Sequence, residues 1–300
     1  MLTESARGLR HIMPQLARPS LLVLALSLLI AGVNHFHPHL LRDLAIPNLP
    51  LTLMGAALGA FVGFRNSSAY GRWWEARILW GQLINASRTL ARQARSLLAP
   101  CEEAAERRDI LLHLGAFVAS LRLHLLRQDP VPALRTWLSH EVCDDLSKTP
   151  NVPAAILVRL GQIIAQCADK GLVTEQRLQQ FDRSLTALTD VQGGCERIKN
   201  TPLPRQYDYI PELLLRAYCF LLPLALAESL GWATPAVALP VSAALFALNA
   251  IGKNLEDPFE GTVHGTPMAA LVRTVERELR WALDEPALPP LLVPVDGVLD

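Results

Sequence analysis

The residues of this chain that could carry chemistry fall into a few short groups. His35, His37 and His39 alternate, with Pro38 among them. Imidazoles are borderline-soft ligands, so a metal could sit there. Spacing alone rarely makes a metal site, and the same histidines read rather as a solvated extracytoplasmic turn at the membrane interface. Glu256 and Asp257 offer adjacent carboxylates, which either bind a cation or mark a helix end with charge. Ser67 and Ser68 have no histidine near them in sequence, and no GxSxG, HExxH, P-loop or GxGxxG pattern occurs. The five cysteines, Cys101, Cys143, Cys167, Cys195 and Cys219, are scattered and form no CxxC or CxxH. That spacing argues against a disulfide framework and against structural zinc. No metal, no cofactor and no enzymatic activity is expected.

A different constellation lies between Ile46 and Phe64. Gly55, Gly59 and Gly63 recur every four residues, so on a helix they share one face. In a membrane such a stripe lets neighbouring backbones approach closely. Ala56, Ala60 and Phe64 repeat at the same interval, on a stripe about 100° further round. Two readings are open. Small and apolar residues fill the inside of a helix bundle, or they line a pore whose apolar collar gates ions by dewetting, with Phe64 the bulkiest point.

The elements that must position these residues follow from charge and hydropathy. Lys plus Arg equals Asp plus Glu, 28 of each, so there is no basic surplus to hold nucleic acid. Charged residues are sparse and the mean hydropathy is positive, which points away from an ordinary soluble domain. A helix crosses a bilayer core of about 30 Å with roughly 20 apolar residues. Four segments are read as spans: Leu21 to Val33, Ile46 to Phe64, Tyr209 to Ala227 and Trp232 to Gly252. A turn at Glu228–Gly231 divides the last two. Arg7, Arg10 and Arg18 precede the first span, but no small-residue cleavage site follows it, so no cleavable signal is expected. Pro19-Ser20 reads as a helix start.

Between Arg65 and Lys199 the apolar spacing is helical, and no segment reads as long and apolar enough to cross. Breaks fall at Asp129-Pro130 and at Thr149–Asn151, and Thr174 followed by Glu175 opens another helix. One amphipathic helix follows from about Pro267 to Asp284, and the tail from Glu285 reads as extended. The expected fold is all-α, a polytopic membrane protein. Residues 1–64 hold an amphipathic helix and two spans, 65–204 a cytosolic helical bundle, 205–254 two further spans, and 255–300 a cytosolic helix and tail. Arginines flank spans one and two on the same side, while their connecting loop has only Arg42 beside Asp43. The positive-inside rule then puts both termini and the bundle in the cytoplasm of an inner-membrane, multi-pass protein.

Three stretches resemble the bacterial bestrophin-type channels. They are Gly63-Phe-Arg-Asn-Ser-Ser-Ala-Tyr-Gly-Arg-Trp-Trp-Glu-Ala-Arg-Ile-Leu-Trp-Gly81, Gly193-Gly-Cys-Glu-Arg-Ile-Lys-Asn-Thr-Pro-Leu-Pro204 and Asn254-Leu-Glu-Asp-Pro-Phe259. Their order and spacing are the family's, and the likeness covers roughly residues 10 to 285. It implies a homopentamer with four membrane helices per subunit around one axial pore. Its neck positions correspond to Ala56, Ala60 and Phe64, its cytosolic aperture to Gln176, and Arg72, Trp73 and Trp74 would brace the membrane-to-cytosol junction.

The implied partners are further copies of this chain, the lipid bilayer and small permeant ions, with no nucleic acid. The implied activity is passive ion passage, of chloride-type anions by family default. A cation channel of the same architecture, or a non-conducting membrane scaffold or sensor, are the alternatives. Two departures stand out. Bestrophins usually carry large apolar residues at the first two neck positions and an aliphatic one at the aperture. Two alanines and a glutamine imply a wider, wetter neck and higher basal conductance. After Phe259 the chain reads Glu260-Gly-Thr-Val-His-Gly-Thr266, with one carboxylate where calcium would want roughly six to eight oxygens, so no calcium switch is expected.

Overall fold

The computed structural model describes residues 5–42, 48–98 and 105–299; Asp43, Ile46 and Cys101, discussed above, lie outside them. Among the described residues the fold is all-α. In chain order the helices are α1 (Ser5–Phe36), α2 (Pro38–Arg42), α3 (Asn48–Ser96), α4 (Ala105–Leu125), α5 (Val131–Leu134) and α6 (His140–Ser147). They continue with α7 (Val152–Asp169), α8 (Glu175–Asn200), α9 (Arg205–Leu230), α10 (Thr234–Glu256) and α11 (Met268–Ala282). Two compact units emerge: Leu2–Trp73 with Pro202–Asp257, and Trp74–Thr201 with Pro258–Asp300. Helix α3 gives its first part to one and its later part to the other.

In the first unit, α1 lies against α9 and α10. Its core is Val23, Leu51, Leu58, Val62, Leu215, Cys219, Leu222, Ala225 and Ala238. Two long apolar stretches, Ile12–Phe36 and Arg205–Glu256, are long and apolar enough to cross a membrane. The second is split by a 3₁₀ turn, Gly231–Ala233, where Gly231 sits at φ +51°. Positive φ is a conformation glycine adopts without steric cost, and this is the turn expected at Glu228–Gly231. The expected helix start at Pro19 is overturned, because α1 begins at Ser5 and runs through Pro14 and Pro19. A proline removes one hydrogen bond of the ladder, and packing along the rest of the helix outweighs that loss.

The second unit is built on α4, which buries nearly every residue from Ile110 to Leu121. A helix apolar on all sides belongs in the middle of a core. The Trp137 ring occupies the space where a Cβ on Gly115 would stand, so glycine lets the indole lie on the α4 backbone. Helix α7 corrects the sequence reading: Val152–Asp169 is long and apolar enough to span a membrane. That apolarity has a use within the bundle. Val152, Ile156, Leu160 and Ile164 form a buried stripe, and α7 packs on α4 and α8. Arg159, mid-helix, points the other way to Asp145 at 3.4 Å. At its start Asn151 Oδ1 accepts from the Ala154 amide at 3.1 Å, which satisfies one orphan donor.

Helix α4 ends in a Schellman turn. The Gln128 amide donates to the Leu123 carbonyl at 2.9 Å and the Arg127 amide to the His124 carbonyl at 3.0 Å. The left-handed position is Arg127, at φ +56°. A side chain there costs about 1–2 kcal/mol, part of which glycine gives back as chain entropy. Arg127→Gly should therefore stabilise the chain by about 0.5–1 kcal/mol, read as a higher thermal midpoint in detergent. A lower midpoint would mean that the guanidinium makes up for the strain.

Candidate functional site

Helix α3 carries the residues singled out by spacing, and burial divides its first part into two faces. Leu51, Leu58, Val62, Arg65 and Ala69 are buried. Their steps of three, four and seven define one helical stripe, turned into the first unit's core. Ala56, Gly59, Ala60, Gly63 and Phe64 are exposed, and Phe64 keeps 69% of its surface open. The glycine stripe splits between the two faces. A Cβ on Gly55 would stand 3.0 Å from the Tyr218 ring, whereas one on Gly59 or Gly63 would meet nothing within 4 Å. Close packing within the chain explains Gly55 alone. Ala56, Ala60 and Phe64 thus form an apolar stripe left exposed within the chain.

Polar anchors fix how α3 is rotated. Arg65 is 2% exposed, a charge taken almost entirely out of solvent. Its guanidinium donates to Asn249 Oδ1 at 2.8 Å and to the Asn249 carbonyl, and pairs with Asp208 at 3.3 Å. A buried charge is tolerated when it is paired and its donors are used. Asn66 Nδ2 donates to the Leu248 carbonyl at 2.8 Å, and Arg72 Nε to the Glu256 carbonyl at 3.1 Å. The last carbonyls of α10 have no partner inside their own helix, so Arg72 caps one of them. Gly252 makes room for this network, because a Cβ there would collide with Asn66 Oδ1 and the Arg65 guanidinium. With Arg65 held inward, Phe64 is turned about 100° away along the helix.

Arg65 was missed as a structural residue in the sequence, where it counts only as a charge at the end of a span. A usable signal existed: an arginine and an asparagine end one apolar run, while Asn249, Gly252 and Asn254 end another. Of the three junction residues, Arg72 is tied to α10, Trp73 stacks on Tyr70 with ring centroids 6.1 Å apart, and Trp74 is half exposed. Gln176 is the second residue of α8 and is exposed. Thr174 stands at the N-cap with extended backbone, as expected, though its side chain makes no capping bond.

The groups with catalytic potential are placed for packing. His35 lies 5.6 Å from the Trp232 ring and edge-on to Phe36, and His37 and His39 are exposed. Among the described residues no cluster of three or more His, Cys, Asp or Glu side chains could hold a metal ion. Cys143, Cys167 and Cys195 are buried, and burial pushes their thiols up, Cys195 to about 12. A thiol held protonated is a poor nucleophile.

The family model described as Bacterial/Fungal Bestrophin protein matches residues 4–281. The chain belongs to that bestrophin family. A voltage-dependent anion channel-forming protein of Ralstonia nicotianae is 35% identical over 278 residues, covering 92% of this chain and 90% of that one. The voltage-dependent anion channel-forming protein YneE of Salmonella typhi is 33% identical over 245 residues, covering 82% of this chain and 80% of that one. A bacterial bestrophin homolog from Klebsiella pneumoniae, solved by crystallography, has a TM-score of 0.86 at 33% identity, covering 90% of this chain and 99% of that one. A crystallised variant of the Klebsiella homolog has the same TM-score at 32% identity. The resemblance read from three motifs is borne out as membership of the family, a channel family rather than an enzyme family.

In this bestrophin each motif has a structural task. Gly63–Gly81 supplies Arg65, Asn66 and Arg72, which lock α3 to α9 and α10. Gly193–Pro204 brings Gly194 under Leu79, where a Cβ would stand 2.8 Å from that side chain. It also buries Cys195 and pairs Arg197 with Glu75. Asn254–Phe259 carries the carbonyl that Arg72 caps and the fully buried Phe259, whose own carbonyl accepts from Lys199 at 3.4 Å.

Proposed function

We propose that this bestrophin is a homopentameric ion channel of the inner membrane. Five copies of α3 stand around an axis with Ala56, Ala60 and Phe64 turned toward it. One observation supports this reading: on α3 the apolar stripe Ala56, Ala60 and Phe64 is exposed within the chain, while the opposite face is held by a buried arginine. A stripe free inside one chain is available to line a space between chains, and Gly59 and Gly63 beside it admit close approach of the next copy. Four helices per subunit cross the membrane: α1, the first part of α3, α9 and α10. Both termini face the cytoplasm, as the arginines flanking the first two spans direct.

The neck carries no fixed charge, so ions pass by keeping water around them rather than by binding side chains. Phe64 is the narrowest ring. The alanines leave the two rings beyond it wider, which lowers the barrier to wetting and raises the open conductance. Gln176 forms the cytosolic aperture, a polar and uncharged ring. Conduction is of anions, as the names of the Ralstonia and Salmonella relatives suggest. Arg72, Trp73 and Trp74 brace α3 where it leaves the bilayer.

Reversal potentials of purified protein in planar bilayers under a salt gradient test this directly. Wild type should reverse on the anion side. Gln176→Lys should move the potential further that way and Gln176→Glu back, because five added charges at one ring change the local ion concentration. No shift with either charge would remove Gln176 from the axis, and reversal on the cation side would overturn the assigned sign. Absence of any ion flux from liposomes would leave a scaffold or sensor in place of a channel.

A further inference from the structure

We propose that the first unit holds a structural site for one anionic glycerophospholipid of the cytoplasmic leaflet, in a cavity between α1, α9 and α10. The cavity has a volume of about 1120 Å³ and lies wholly within that unit. Its two ends differ in chemistry. Arg18, Arg216 and Lys253 gather at one end with Glu212. Leu26, Leu29, Phe220 and Phe246 line the other.

The polar end is not neutralised from within. Glu212 already binds both Lys253, at 2.5 Å, and Arg216. Three lining cations face the Glu212 carboxylate, with Glu256 the next acid near Lys253, which leaves a positive surplus, and Arg18 has no partner among the described residues. Asn254, also in the lining, keeps a buried Nδ2 donor unused. Unused donors and surplus positive charge fit a phosphodiester, which accepts several hydrogen bonds and carries one negative charge.

The apolar end fits the remainder of the same molecule. From Arg18 to Leu29 the helix rises about 16 Å, close to half of a bilayer core of about 30 Å. An acyl chain entering beside Arg18 therefore reaches Leu29 without leaving the leaflet in which its headgroup sits. With the orientation above, the cationic end lies at the cytoplasmic surface, where anionic lipids gather and basic clefts between helices bind their headgroups. A zwitterionic lipid supplies its own cation and competes poorly for a site with surplus positive charge. The inference rests on the membrane orientation of α1 and not on conduction, so binding is read without any current.

Native mass spectrometry of the purified full-length protein, with parallel thermal unfolding, supplies the test. The probes are dioleoylphosphatidylglycerol, dioleoylphosphatidylcholine and inorganic phosphate. Phosphatidylglycerol should add one molecule per chain and raise the unfolding midpoint, and the other two should do neither. Arg18→Gln with Arg216→Gln should weaken phosphatidylglycerol retention about tenfold or more by removing two charge-assisted contacts. Leu26→Trp should abolish retention by filling the trough while leaving the charges in place. Equal retention of both lipids, stabilisation by phosphate alone, or wild-type retention by the double variant would each overturn the site. So would a Leu26→Trp protein that keeps its lipid but changes its oligomeric state, because the trough would then seat a second copy of the chain.

Discussion

Ala60→Phe should cut single-channel current severalfold in planar bilayers, and Ala56→Phe should do the same with an unchanged melting temperature. Both alanines are exposed on α3 and outside the core of the first unit, so a larger side chain there does not overpack that core. In the proposed pentamer each substitution adds five phenyl rings at one level of the neck. An apolar ring narrowed this way expels water, and the loss of hydration is the barrier to an ion. Val62→Phe provides the contrast. Val62 is 2% exposed within the core, and overpacking there costs about 1–3 kcal/mol of stability without reaching the proposed pore. Unchanged current in both alanine variants would remove these positions from the permeation path.

Arg65→Met should lower stability by about 2–4 kcal/mol and broaden or abolish the assembled peak on size exclusion. Removing one partner of a buried ion pair typically costs about 3–5 kcal/mol, because the other charge is left without compensation. Asp208 is 39% exposed, so water recovers part of that cost and the expectation is correspondingly smaller. Asn249 also loses two donors, one to its side chain and one to its carbonyl. Pairing Arg65→Met with Asp208→Leu should restore part of the loss, since no lone charge then remains. A single variant as stable as wild type would show that the guanidinium does not hold α3 against α9 and α10.

The two expectations are linked through the rotation of one helix. Burial of Arg65 is what presents Ala60 and Phe64 on the open face. That link was only half legible in the sequence. Apolar runs and a glycine turn marked α1, α9 and α10 because length and hydropathy are local properties. The four-residue repeats marked the stripes of α3 for the same reason. Which stripe faces inward was not legible, since glycine, alanine, leucine and phenylalanine occur all round this segment and its partners lie far along the chain. Asp208 is 143 residues from Arg65. The glycine stripe illustrates the difference: three glycines look equivalent by spacing, and only Gly55 has a ring against it. Helix α7 misled in the opposite sense. No segment there reads as long and apolar enough to cross, whereas the composition of α7 would allow it and its apolar stripe is used against α4 and α8.

Thiol accessibility of the α3 stripe probes the proposed arrangement most directly. Purified Ala60→Cys protein in a planar bilayer would be treated with a charged, water-soluble methanethiosulfonate while current is recorded. A central, water-filled neck lined by α3 predicts irreversible block of Ala60→Cys, with wild type and Val62→Cys unaffected. Full modification of Ala60→Cys by mass with no change in current, or block of Val62→Cys instead, would contradict it.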